Sequence, residues 1–262
     1  RGFRRAYLNQ TDRGATADQV FGVDDWRGTA IMDEYRQSGV HTGFLEVVPD
    51  CTSSTATILV RQADGARAIA YCPGNTAEFS PADVPAEAIA AARILHINGR
   101  YPDACLRACQ IARQAGAKVS FDGGAQRYRP EIRPLVALTD IGIVALDFAR
   151  QYTGHVEVDA AARALLAEGM EVALITDGVR GSWIYPRDGE PFHQPAFPQV
   201  DVVDTTGCGD SFMGTVLAGL ASGMALSEAA ELASYVSAYA ATGYGAQASY
   251  GNAAQIREAF AK

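Results

Sequence analysis

The densest chemistry in the chain lies in Val202-Val203-Asp204-Thr205-Thr206-Gly207-Cys208-Gly209-Asp210-Ser211-Phe212. An apolar stripe at Phe212, Val216 and Leu220 follows and stops at Gly223, a spacing that predicts a helix beginning at the glycines. The first-turn amides of a helix have no internal partners, and its macrodipole places about half a positive charge there, so this corner suits a phosphate. Gly207 and Gly209 present no Cβ to hold such an anion away. Asp210 adds a carboxylate to the same positive end. In one reading it merely complements the helix dipole. In the other it is a general base that takes a proton from an attacking hydroxyl, while the amides stabilise charge on a transferring phosphoryl group. Two glycines flanking a small residue, directly after Asp-Thr-Thr and before Asp, exceed what a cap requires and favour the second reading.

A scaffold must hold that corner. From about residue 80 onward, short β-rich runs alternate with alanine-rich helical stretches, the pattern of stacked βαβ units with a parallel sheet and helices on its faces. Ser80-Pro81 opens a helix running into Ala90 to Ala92, and Arg93 to Asn98 is a buried strand. Asp103 caps the next helix, which stops at Gly116, and Lys118 to Asp122 is the following strand. Further strands are expected at Ile141 to Ala145 and Glu171 to Thr176, around a helix from Asp159 to Glu168 closed by Gly169. Two segments break the rhythm as antiparallel hairpins: Ser54 to Val60 with Arg67 to Cys72, and Ser182 to Pro186 with Phe192 to Phe197. The first twenty residues fit no regular element, and no repeat, linker or low-complexity tract interrupts the chain.

Composition narrows the class. Of 262 residues, 48% are apolar and 20% charged, which rules out a disordered chain. With 22 Lys and Arg against 30 Asp and Glu, the formal charge is −8, so bulk nucleic acid and anionic lipid repel the chain, and any phosphorylated ligand must be held by local geometry. No run reaches the length of a membrane span, and the amino end has no signal-peptide core, so a cytoplasmic protein is expected. Five scattered cysteines do not form a disulfide framework; Cys105 and Cys109, four apart on a helix, are read as core packing. His41, His96, His155 and His193 lack metal or triad spacing.

Asp204-Thr205-Thr206-Gly207-Cys208-Gly209-Asp210 closely resembles the D-T-x-G-A-G-D signature of the ribokinase-like (PfkB-type) carbohydrate kinases, with Cys208 in place of the common alanine. Three weaker segments follow the family's order. They are Phe21 to Gly28, Pro73-Gly74-Asn75-Thr76-Ala77 with Ser80-Pro81, and Thr176-Asp177-Gly178-Val179-Arg180-Gly181-Ser182. The resemblance implies a single α/β kinase domain over 1–262, a three-layer αβα sandwich with a mostly parallel sheet and a small antiparallel β lid. Lid strands are expected within 1–20 and 50–72. It further implies Asp210 as base, an anion hole from the amides of Gly207, Cys208 and Gly209, and ATP bordered by Thr176, Gly178, Gly181 and Thr205. Mg²⁺ would accompany ATP. A monovalent cation, K⁺, would sit at positions matching Asp204, Thr206, Ala240, Gly243, Gly245 and Ser249, for which a plain glycine-rich turn is the alternative.

The chain departs from the family in two places. The N-x-x-E that organises Mg²⁺ would fall on Ala145 and Phe148, leaving Asp147 either as a substitute or as a solvated helix charge. The amino-terminal G-G-x-x-x-N segment and the strand bearing the sugar-binding Asp are not found. For the acceptor, Asn98 and Asp122 end parallel strands, where ligands of open α/β sheets lie, and either could bond a sugar hydroxyl or cap a loop. Arg127 could meet an anionic substituent or face solvent. The run His193 to Phe197 resembles sulfofructose kinase-like members, near the ketohexokinase-like branch. The expected activity is ATP-dependent phosphorylation of a primary hydroxyl of a ketose or related sugar, by a homodimer joined through the lid. A nucleoside kinase and a non-catalytic sugar- or nucleotide-binding regulator are the alternatives.

Overall fold

The computed structural model describes residues 9–11, 14–16, 21–23, 26–61, 67–197 and 201–245. Its elements fall into two compact units, Arg1–Ala56 with Tyr71–Ala173, and Thr57–Ala70 with Leu174–Lys262.

The first unit begins with β1 (Asn9–Thr11) antiparallel to β2 (Gly14–Thr16), Asn9 opposite Thr16. The expectation that the first twenty residues form no regular element is thus corrected: three-residue strands are too short for an alternating pattern to show. A small βαβ unit follows, β3 (Phe21–Val23), α1 (Trp26–Gln37) and β4 (Glu46–Val48), its strands parallel with Phe21 beside Glu46. β5 (Thr55–Val60) and β6 (Arg67–Cys72), most of whose residues belong to the second unit, form a two-stranded sheet of their own. A parallel pair needs a crossover of a dozen or more residues, so the short link between them dictates a hairpin.

The helix expected from Ser80 to Ala92 is two pieces. Ser80 caps a 3-10 turn at Pro81–Asp83, and α2 spans Ala86–Ala90. Val84 precedes Pro85 and takes an extended conformation, φ −72° and ψ 120°, because the proline ring clashes with a helical predecessor. Beyond it come β7 (Ile94–Ile97), α3 (Pro102–Ala115), β8 (Lys118–Gly123), α4 (Arg133–Val136), β9 (Ile141–Ala145), α5 (Leu146–Thr153), α6 (Val158–Ala167) and β10 (Val172–Thr176). Tyr101, not Asp103, is the cap of α3; Pro102 takes the first helical position and Asp103 lies in the first turn. Gly116 ends that helix at φ +80°.

β7, β8 and β9 are parallel, with Ile97 beside Phe121 and Asp122 beside Ile143. Leu95, Ile97, Val119, Phe121, Ile143 and Val144 are buried among them, each side chain contributing roughly 1.5–3 kcal/mol by leaving water. Cys105 and Cys109 lie on the buried face of α3 with Ala104, Ala108 and Ala112, and burial pushes the Cys109 thiol far up. Among the described residues no cluster of metal-ligating side chains occurs, and no helix is long and apolar enough to cross a membrane.

The second unit carries β11 (Ser182–Pro186) antiparallel to β12 (Phe192–Gln194), then α7 (Cys208–Ala221) and α8 (Leu226–Ala240). Gly219 lets the two helices approach: a Cβ there would stand 3.0 Å from Ala229 Cβ. The six-stranded sheet has the order β12-β11-β10-β9-β8-β7. It is parallel at β7-β8-β9 and antiparallel at its β11-β12 edge.

Candidate active site

α7 starts one residue after Gly207, whose φ of +86° is the left-handed conformation that favours glycine. Cys208, Gly209 and Asp210 are therefore its first three residues, the turn whose amides lack intrahelical acceptors. Ser211 N–H donates to Gly207 O at 2.8 Å, and Cys208 N–H to Thr205 O at 3.4 Å. The Gly209 amide has no acceptor among the described residues, and a Cβ on Gly209 would meet nothing within 4 Å. Both Gly209 and Asp210 are exposed. The turn is fixed from behind, because Ser237 Oγ on α8 and Ser211 Oγ both donate to Cys208 O at 3.0 Å. A Gly209 amide with no acceptor among the described residues, room in front of it and an adjacent exposed carboxylate can bind an anion and accept a proton beside it.

The strap leading into this turn is organised by Asp204, which is only 2% exposed. Its Oδ1 accepts the Thr206 N–H at 2.8 Å and the Thr206 hydroxyl, and its Oδ2 accepts Gly245 N–H at 2.9 Å. Val203 N–H and Asp204 N–H both donate to Ala241 O, at 2.8 and 3.2 Å. Of the residues matched to a cation site, Asp204, Thr206 and Gly245 thus meet. Ala240 is buried at the end of α8, Gly243 is half-buried, and Ser249 lies outside the described residues. Sequence reasoning passed over Ala241, whose role rests on a backbone carbonyl and leaves no side-chain signal.

Thr176 ends β10, and the loop beyond it is a closed turn. Asp177 N–H donates to Gly181 O at 2.9 Å, Gly181 N–H to Gly178 O at 3.0 Å, and the Arg180 guanidinium pairs with the Asp177 carboxylate. Gly178 borders open space, whereas a Cβ on Gly181 would fall 2.2 Å from Gln194 O where the chain leaves β12. His193 accounts for part of that closure: Nε2 lies 2.7 Å from Arg180 O and its ring centroid 4.6 Å from that of Trp183. Thr205 is half-buried in the strap before Gly207.

In the first unit, Ile97 pairs with Phe121, and Asn98 and Asp122 are the residues that directly follow them. Asn98 Oδ1 accepts the Arg100 N–H at 3.2 Å. Asp122 is 6% exposed, and its Oδ2 accepts from Arg127 Nη1 at 2.6 Å. Arg127 is therefore engaged by a carboxylate, with 31% of its side chain exposed. At the positions of the missing N-x-x-E, Ala145 precedes α5 and Phe148 is fully buried. Asp147 is exposed, and it accepts Gln126 N–H at 2.8 Å and the Gln151 side-chain amide at 3.0 and 2.9 Å. Nothing in the sequence marks Gln126 as a residue that adopts φ +58°.

A model of the pfkB family of carbohydrate kinases matches residues 15–252. Aminoimidazole riboside kinase of Salmonella typhimurium is 32% identical over 208 residues, 74% of this chain and 64% of that protein, so the chain spans less than two thirds of that relative. Ribokinase of Mus musculus is 29% identical over 250 residues, 90% of this chain and 76% of that protein. The crystal structure of a putative ribokinase II from E. coli, in complex with ATP and Mg²⁺, has the same fold. It superposes with a TM-score of 0.81 at 22% identity, covering 92% of this chain and 82% of that one.

Proposed function

Because the chain belongs to the pfkB family of carbohydrate kinases, we propose that it transfers the γ-phosphoryl group of ATP to a primary hydroxyl of a ketose or related sugar. The observation that carries this reading is the first turn of α7, where an exposed Asp210 adjoins the Gly209 amide and, among the described residues, no side chain fills the space in front of that glycine. Asp210 accepts the proton of the acceptor hydroxyl as its oxygen bonds to the γ-phosphorus. The bond from that phosphorus to the bridging oxygen breaks and ADP leaves. The amides of Gly207, Cys208 and Gly209 stabilise the charge that spreads over the transferring oxygens.

Thr176, Gly178, Gly181 and Thr205 border the nucleotide. ATP carries Mg²⁺ with it, as in the E. coli neighbour, which neutralises phosphate charge; Ala145 and Phe148 offer that ion no ligand, and Asp147 is engaged by Gln126 and Gln151. The buried Asp204 with Thr206 and the carbonyls near Ala240 to Gly245 are the oxygen donors for K⁺ in this reading. Asn98, Asp122 and Arg127 take sugar hydroxyls. Since Asp122 neutralises Arg127, an uncharged polyol fits that pair better than an acidic ketose. The exposed Leu59, Ile69 and Tyr71 of β5 and β6 supply an apolar lid through which two copies pair, and the enzyme works in the cytoplasm, where ATP is made.

Identity to aminoimidazole riboside kinase favours a second reading, in which the acceptor is a riboside. An ADP-release assay across ketoses, pentoses and ribosides separates the two. Highest kcat/KM on a ketose supports the first reading, and highest on a riboside supports the second. Thermal stabilisation by ligands without any phosphorylated product would replace both with a non-catalytic binder.

A further inference from the structure

The loop from Gly123 to Arg129 is built more tightly than a connection requires. A Cβ on Gly123 would stand 2.5 Å from Val144 Cγ1 and 2.7 Å from the Phe148 ring, so β8 leaves the sheet pressed against β9 and α5. A Cβ on Gly124 would stand 2.9 Å from Arg127 Nε, so the arginine folds back across that glycine to reach Asp122. The loop's far end is anchored twice. Arg129 donates to Arg100 O at 3.1 Å and also to Gly99 O, while the Tyr128 ring packs edge-on to Phe148 and Tyr152 at 6.1 and 5.9 Å. Arg133 locks that aromatic cluster by donating to Tyr128 Oη at 3.2 Å and Tyr152 O at 2.7 Å. In the middle, Gln126 adopts φ +58°, a conformation costly for a residue with a side chain and sustained only where its surroundings impose it. Two bonds hold it there: Arg127 N–H closes a turn by donating to Gly124 O at 3.2 Å, and Asp147, the first acidic residue of α5, accepts the Gln126 N–H and is itself held by Gln151.

We propose that Asp147 is a positioning residue for acceptor recognition: by pinning Gln126 it holds Arg127 against Asp122, presenting a guanidinium donor beside a carboxylate acceptor as a preformed pair for sugar hydroxyls. A hydroxyl both donates and accepts, so one such group can bridge the pair and adjacent groups can each take one side. The inference rests on the proposed kinase reading for its ligand and on the loop's own geometry for its mechanism.

Three variants in steady-state kinetics test it. Asp147→Ala should raise the acceptor KM about tenfold, the loss of one hydrogen bond to a charged group, while kcat and the ATP KM stay within about twofold. Asp147→Asn keeps an oxygen acceptor for Gln126 N–H and should restore most of the acceptor affinity. Asp147→Ala in an Arg127→Ala background should add almost nothing, since both act through the same guanidinium. An unchanged acceptor KM, an equal rise in ATP KM, or full additivity with Arg127→Ala would overturn the proposal. If the wild-type protein turns over no acceptor, the kinase reading fails and the positioning role is judged by a crystal structure of Asp147→Ala. Separation of Arg127 from Asp122 beyond 4 Å sustains it, and an intact pair refutes it.

Discussion

The start of α7 and the end of β8 use the same ingredients, glycines and a carboxylate, for different ends. At Gly209 an added Cβ would meet nothing, whereas at Gly123 it would overlap Val144 and Phe148. Asp210 is exposed, while Asp122 is buried against Arg127. On the proposed reading the first glycine leaves room for a phosphate, whereas the second is kept small by the chain's own packing. The contrast separates a corner that would meet a ligand, as proposed, with backbone donors from one that would meet it with side chains held in place by neighbours.

Asp210→Asn probes the first region most sharply. It should lower kcat by roughly 10² to 10⁴ with the ATP KM little changed, because the amide cannot take the hydroxyl proton but the helix amides remain. Single-turnover kinetics would read this, and near-normal turnover would leave Asp210 as a dipole residue and erase the distinction drawn above.

Next in size is a paired substitution. Gly209→Ala should leave the melting temperature unchanged or raised, since its helical position has room, yet cut kcat/KM for ATP about tenfold by crowding one phosphate contact. Gly123→Ala should do the reverse, costing about 1–3 kcal/mol in urea denaturation through overpacking while the ATP KM stays put. If both variants lose stability alike, the open space at Gly209 is not a ligand's space.

The same contrast explains what the sequence disclosed. The backbone-built corner was legible as Gly-Cys-Gly-Asp ahead of a helical stripe, because glycine placement is itself the signal for amides meeting an anion. The strands Ile94–Ile97, Lys118–Gly123, Ile141–Ala145 and Val172–Thr176 were legible as apolar runs. α5 was not, since Ala145 passes from β9 into the helix with no capping side chain or turn residue to mark the change. Nor was the service of Asp147 to Gln126, which depends on two segments twenty-one residues apart meeting in space. Asn98 and Asp122 could be located at strand ends, but only the fold shows Arg127 returning to Asp122 across Gly124.

The smallest effect belongs to a feature wholly local in sequence, the Ser80 capping box, and it sets the scale for the others. Ser80 N–H and Oγ both donate to Asp83 Oδ2, at 2.8 and 2.7 Å, and Ala82 N–H donates back to Ser80 Oγ at 3.3 Å. These bonds hold the Asp83 carboxyl below the usual 3.8, first through the Ser80 hydroxyl and then through its backbone amide. A depressed carboxyl stabilises the fold above its unfolded value and ceases to do so as pH falls through the folded one. Asp83→Asn should therefore cost about 1 kcal/mol at pH 7, measured by urea denaturation, and the gap from wild type should close as the titration enters the acid range below 3.8. A gap independent of pH would mean that the charge plays no part and that the turn is held by Pro81 and packing alone. The loop that Asp147 holds, which has no such local partner, would then be the stronger of the two carboxylate devices in this unit.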